Sequence, residues 1–250
     1  MRSTLESNLA DVRSRIAEAA ARGGRDPADV ALVAVTKSVG PSAAEALVRL
    51  GQADLGESRA GELVRKAAWL ERRGLRPRWH FVGHLQRNKA RRVVELADAI
   101  HSVDSPRLLE TLDRLAGEVG RSPELYLQVK LAPEPGKSGL DPAALASVVE
   151  VALDLRHARL AGLMTMAPLD GGSGGLAGAR SVFQELASLA RGLAREPRLR
   201  EAFRFGRVRT SMGMSEDFEA AIEEGSDVVR VGARLFEGVP AEAGGDAGIP

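Results

Sequence analysis

The chain has no cysteine in 250 residues, which excludes disulfides and thiolate metal sites and fits a cytoplasmic protein. It has almost no net charge, formally +1, so no global field draws it to nucleic acid or to an acidic membrane surface. No apolar run approaches the roughly 20 residues that span a bilayer. The first periodic segment carries Glu6 and Asp11, which argues against a secretory or transit peptide. Tyrosine occurs once, at Tyr126, so a mechanism that needs a tyrosine acid or base has one candidate. The length suffices for one large domain with a full core.

What the chain does have is a repeated pairing of short buried runs with helical patterns. Leu5, Leu9, Val12 and Ile16 fall on one face of an opening helix, with Ser3 and Glu6 spaced as a capping box and Gly23-Gly24 as its stop. Strand-like runs follow at 30–37, 53–56, 79–82, 100–103, 125–131, 160–164, 207–211 and 228–231. Helical patterns separate them, among them 41–50, 61–70, 89–97, 179–193 and 216–224, with Ser105-Pro106 and Asp141-Pro142 opening two more. Eight βα units in this length predict a single TIM (β/α)8 barrel over residues 1–240, and a doubly wound sheet is the alternative. The Gly- and Ala-rich tail, 241–250, reads as disordered.

The chemistry sits at strand ends. Lys37 closes the run Val33-Ala34-Val35-Thr36-Lys37, which puts an amine at the carboxyl edge of a parallel sheet, where α/β proteins bind ligands. A strand-end lysine also serves simply to snorkel into solvent. As a Schiff-base lysine it needs a desolvating, cation-lined mouth, and Arg230 is a candidate cation. Ser211 and Gly232-Ala233 end the seventh and eighth strands, where barrels often hold phosphate on backbone amides. Gly232 is equally readable as a turn residue needing positive φ. Ser215, with Glu216 and Asp217 behind it, reads as the cap of the next helix, and so ranks below Ser211 as a phosphate ligand. An amine at one end and an anion site at the other suggest a phosphorylated aldehyde, with pyridoxal 5'-phosphate the leading candidate. A cofactor-free aldolase lysine stays open.

Other motifs carry less. Pro135-Gly136-Lys137-Ser138-Gly139 lacks the first glycine of a nucleotide-binding loop, its position being Leu131. His80 and His84 flank a strand end and do not share a helix face, which disfavours metal. Arg87, Lys89, Arg91 and Arg92 read as a solvated helix face, with no nucleic acid implied. The stretch 171–175 reads as a flexible loop.

Taken together the runs resemble a known family, the pyridoxal phosphate homeostasis proteins, relatives of the alanine racemase N-terminal domain. The resemblance is carried by Val33 to Lys37, Leu55-Gly56-Glu57, His80 to Gln86 with Asn88-Lys89, and His101-Ser102-Val103-Asp104. It continues through Lys137-Ser138-Gly139, Gly162-Leu163-Met164, Ser211 to Ser215 and Val229-Arg230-Val231-Gly232. It implies a barrel of the alanine racemase type in which Lys37 holds the cofactor and Ser211 with the amides of Gly232 and Ala233 binds its phosphate. It also implies Arg230 at the pyridine nitrogen and a secondary or transfer site at Lys137. Such proteins hold the cofactor without substantial catalysis, with apo-enzymes that use pyridoxal 5'-phosphate as candidate partners; a lone cytoplasmic barrel of balanced charge, with no evident dimerisation domain, is expected to be a monomer. The racemases of this fold instead carry a second domain that contributes a tyrosine, so racemase is the alternative function. Ser58 stands where the family usually has asparagine and Ala233 where it has threonine. The first alters a contact near the ring and the second removes a hydroxyl from the phosphate site.

Overall fold

The computed structural model describes residues 1–131, 138–168 and 175–239. Lys137, residues 171–174 of the glycine-rich stretch and the tail 241–250, all singled out above, lie outside them. Eight parallel strands pair in sequence order and close: β1 (Ala31–Val35), β2 (Asp54–Glu57), β3 (Arg78–Phe81), β4 (Ala99–Val103), β5 (Glu124–Gln128), β6 (Arg159–Met164), β7 (Arg209–Ser211) and β8 (Val228–Val231). Closure is made by β1 and β8, with Ala31 opposite Val228 and Ala34 opposite Val231. The doubly wound alternative is thereby excluded. The helices are α1 (Arg2–Arg22), α2 (Pro41–Arg49), α3 (Ala60–Glu71), α4 (Ala90–Leu96), α5 (Pro106–Val119), α6 (Leu145–Ala152), α7 (Gly175–Arg195), α8 (Pro197–Arg200) and α9 (Phe218–Glu223).

Alternation along each strand sorts side chains into two cores. Leu32, Ala34, Leu55, Val229 and Val231 face the helices and join the large outer core. Val33, Val35, Ala99, Tyr126, Ala161, Met164 and Val228 gather in a second cluster, which strands so far apart can form only inside the barrel. The inward rows also carry polar groups. Near the amino ends of the strands, Arg78 and Arg209 lie within 3.8 Å of Glu124, and Arg78 within 3.8 Å of Asp54. Above them come His80, His101, Ser211 and Arg230, all buried.

Several local expectations change. No capping box forms at Ser3, because α1 already begins at Arg2. Ser105 does cap α5 through the Leu108 amide, and Asp141 caps a 3-10 turn that runs into α6. β5 stops at Gln128, three residues short of the apolar run, because Leu140 returns to pair with Val129. α8 was not anticipated, being too short and polar to show a period. α1 buries the predicted stripe and packs on α9 and on the turn after β8. There Asn8 donates to the carbonyls of Leu235 and Glu237 at 3.0 and 2.9 Å, pinning the turn that begins at Ala233.

Candidate cofactor site

A cavity of about 260 Å³ opens at the carboxyl ends of the strands, near the small end of the range for ligand pockets. Its walls include Lys37, Ser58, Arg230, Gly232 and Ala233, five of the residues proposed from sequence, together with Val35, Val82, Met166, Met214, Ser215, Glu216 and Asp217. Strand-end register explains the convergence. Val33 pairs with Arg230 and Val35 with Gly56, so the residues after β1, β2 and β8 meet at one rim. A broader depression of about 710 Å³, lined by Arg59, Lys89 and Arg92 among others, shares Ser58 with this cavity.

Lys37 is exposed at the mouth, so the desolvation expected of it is absent in this structure. What is buried is its support. Thr36 donates through its amide to Gly56 O and through Oγ1 to Glu57 Oε1, each at 2.8 Å. Lys66, on α3, donates to Thr36 O at 2.6 Å and to Glu57 Oε1. Glu57 Oε2 accepts from the Ser58 amide at 3.2 Å. One ion pair therefore fixes the residues before Lys37 and at Ser58. Glu57 stands in the sequence motifs above without a role, and Lys66 lies outside them. The available signal was a carboxylate closing a buried strand, which demands a partner.

Arg230 is buried, and among the described residues no carboxylate lies within ion-pair range of it. It donates from Nη1 to Ser211 Oγ at 2.7 Å and from Nη2 to Thr165 O at 2.9 Å. Burial lowers its pKa to about 10, with the nearby Asp217 charge acting in the opposite direction. Asp217 is itself pushed up by burial, against the Met214 amide and Arg230. A desolvated guanidinium at a cavity wall is a ready donor for an anionic or lone-pair partner.

Ser211, expected to hold phosphate, is not in the cavity wall. It is the last inward-facing residue of β7, fully buried, and its hydroxyl meets Arg230 and His101. Ser215 lines the cavity. Gly213, at φ +93°, turns the chain where a Cβ would lie 2.6 Å from Ala221 Cβ, and this turn returns Ser215 to the rim. Ser215 does not cap α9, whose N-cap is Asp217. Its Oγ instead accepts from the Gly232 amide at 3.3 Å. Gly232 has φ −125°, so the positive-φ reading fails. What limits the position is space, since a Cβ there would sit 3.1 Å from Val35 O.

Comparison with known proteins establishes the family. The family described as alanine racemase, N-terminal domain, matches residues 7–240. The pyridoxal phosphate homeostasis protein of Pseudomonas aeruginosa is 37% identical over 238 residues, 94% of this chain and 95% of its own. PipY of Synechococcus elongatus, solved with PLP bound, is 38% identical with a TM-score of 0.80, covering 93% of this chain and 99% of PipY. An alanine racemase of Clostridium difficile shares the fold at 15% identity and a TM-score of 0.66, and the match spans 56% of that longer chain. The chain belongs to the alanine racemase N-terminal domain family, among its pyridoxal phosphate homeostasis proteins.

Proposed function

We propose that this protein binds pyridoxal 5'-phosphate in the 260 Å³ cavity and serves the intracellular homeostasis of that cofactor as a carrier without substantial catalysis. The observation that carries the reading is the convergence of an exposed amine, Lys37, and a desolvated cation, Arg230, with no carboxylate in ion-pair range among the described residues, on one small cavity walled by Val35, Val82, Met166 and Met214. That set fits a flat apolar ring bearing an aldehyde and a lone-pair nitrogen. Lys37 is the residue to hold the aldehyde as a Schiff base, and Arg230 the donor to the ring nitrogen. Ser215 and the amides of Gly232 and Ala233 flank the place for the phosphate, and Ser58 stands between the amine and the neighbouring basic depression.

The choice of arginine bears on catalysis. When bound, the cofactor supplies an electron-withdrawing ring, strongest with its nitrogen protonated. A guanidinium stays charged and only donates, so it leaves that nitrogen unprotonated and the ring a weaker electron sink. A racemase also needs a second acid or base facing the lysine. Tyr126, the sole tyrosine, is buried inside the barrel with its ring stacked on His101 at 4.4 Å, and burial pushes its phenol up. It is not part of the cavity wall. We also take the protein to act as a cytoplasmic monomer that can supply apo-enzymes. The large exposed apolar residues among those described, Met1, Val64, Leu176 and Phe205, sit on separate elements and do not suggest a docking patch.

The test is direct. Protein loaded with pyridoxal 5'-phosphate should absorb in the visible, and borohydride should fix a pyridoxyl group that peptide mapping finds on Lys37. Its recovery chiefly on Lys137, or stereospecific turnover of alanine or serine lost in Lys37→Ala, would overturn the reading.

A further inference from the structure

A file of hydrogen bonds runs through the barrel interior from its amino-end face to the cavity. Asp54, the first residue of β2, accepts at Oδ1 from His80 Nε2 at 2.9 Å. His80 Nδ1 lies 2.9 Å from His101 Nε2, and His101 Nδ1 lies 2.8 Å from Ser211 Oγ. Arg230 Nη1 completes the file at Ser211, 2.7 Å away. Tyr126 lies flat against His101, with ring planes 6° apart, which holds that imidazole in place.

The two ends set the direction of every link. Arginine can only donate and an ionised carboxylate can only accept. Ser211 receives from Arg230 and finds no other acceptor for its own hydrogen among the described residues, so that hydrogen goes to His101 Nδ1. His101 then carries its proton on Nε2 and gives it to His80 Nδ1, and His80 carries its proton on Nε2 and gives it to Asp54. Both rings are neutral and both are Nε2–H tautomers. A charged His80 would reverse two links: His101 would donate to Ser211, whose hydrogen would then have no acceptor among the described residues. Stranding a buried hydroxyl leaves its full desolvation penalty uncompensated. Burial, with the charge of Arg230, likewise keeps His101 well below its ordinary range. Each link turns a lone pair toward Arg230, so the file presents the negative ends of its dipoles to the buried cation, polarised by Asp54 at the far end.

We infer that Asp54, His80, His101 and Ser211 are positioning residues that orient the Arg230 guanidinium toward the cofactor nitrogen and supply its counter-charge from the opposite face of the barrel. This rests on the cofactor reading above. It explains how a barrel can hold an arginine in its interior with no carboxylate in contact among the described residues. It also makes a surface-facing residue on the far side of the molecule a determinant of the cofactor's electronic state.

Two measurements test it. The chain has only four histidines, so ¹⁵N imidazole NMR of the cofactor-free protein can be assigned by single substitutions. It should show His80 and His101 each protonated on Nε2 with a bare Nδ1, and a proton on His101 Nδ1 would overturn the direction deduced. In the loaded protein, Asp54→Asn keeps an acceptor for His80 but removes the charge. It should shift the absorbance maximum of the bound cofactor, and the shift should vanish when Ser211→Ala cuts the file. An unmoved spectrum in Asp54→Asn, or the same shift in both backgrounds, would refute the role. Absence of visible absorbance in the parent would instead defeat the cofactor reading, while the NMR result would still decide whether the file exists. The parent NMR measurement decides even if a variant fails to fold.

Discussion

Lys66 donates to Glu57 with neither side chain exposed to any degree, immediately behind Thr36. Glu57 ends β2 on its helix-facing side and Lys66 rises from α3 to meet it, so the pair lies between sheet and helix, outside the barrel interior. Taking two charges out of water is costly, and such pairs rarely exceed a well-packed apolar replacement in stability. Its bonds to Thr36 O and the Ser58 amide give it a different use, which is to hold two rim residues of the cavity in register.

Removing one partner should therefore be worse than removing both. Lys66→Met leaves Glu57 buried and unpaired, and we expect a loss of about 3–5 kcal/mol in urea unfolding. Lys66→Met combined with Glu57→Gln should recover part of that loss. Both proteins should take up pyridoxal 5'-phosphate more slowly than the parent, since Lys37 loses the anchored Thr36 beside it. A double variant as unstable as the single would remove the ion-pair argument.

Asp113 makes a second long-range tie. From α5 it accepts the amides of Arg156, His157 and Ala158, the last two at 2.7 and 2.8 Å, and so fixes the entry to β6. Burial raises its carboxyl, but these amides outweigh that and hold it below the ordinary carboxylate value. A depressed folded-state pKa stabilises above the unfolded value, about 3.9, and the gain is lost as pH falls through the folded value. Asp113→Ala should cost about 1 kcal/mol at neutral pH, given its partial exposure. In urea unfolding the gap from the parent should close below about pH 3.9. A gap that persists in acid would assign the effect to packing.

The fold was legible because parallel strands buried on both faces read as continuous apolar runs, and Gly, Pro and cap residues punctuate them. Lys37 and Arg230 were legible for the same reason, as charged residues at or within such runs. Ser211 and Ser215 could not be sorted this way. Which of the two reaches the cavity depends on strand alternation at the last residue of β7 and on the turn at Gly213, which sequence alone does not fix. The His80–His101 contact and the Lys66–Glu57 pair join residues 21 and 9 positions apart. Their meeting follows from register between neighbouring elements and leaves no local pattern.

Arg230 should set the spectrum of the loaded protein. With a donor-only partner the ring nitrogen is unprotonated, whereas Arg230→Glu offers an acceptor that favours its protonation. The absorbance of the bound cofactor and its pH titration should both move. Binding should weaken without disappearing, because Lys37 and the phosphate contacts remain. An unchanged spectrum in a folded, fully loaded Arg230→Glu protein would remove Arg230 from the cofactor and leave its burial as a purely structural matter.

The two serines provide the sharpest division of labour. Ser215 lines the cavity beside the Gly232 amide, and Ser211 is turned inward to Arg230 and His101. If Ser215 holds the phosphate, Ser215→Ala removes a hydrogen bond to a charged group, about 1.5–3 kcal/mol, or roughly 10- to 150-fold in Kd. The loss should appear with pyridoxal 5'-phosphate and be absent with pyridoxal, which lacks the phosphate, in equilibrium titrations of the two. Ser211→Ala should behave in the opposite way. Its ratio of the two affinities should match the parent's, because no phosphate contact is lost. The absorbance of the bound cofactor should still shift, because Arg230 loses one of its two acceptors. A Ser211→Ala protein that discriminates poorly between the phosphorylated and unphosphorylated aldehydes would return the phosphate to Ser211. It would also require the hydroxyl to leave His101 on binding, breaking the file of hydrogen bonds when the cofactor arrives.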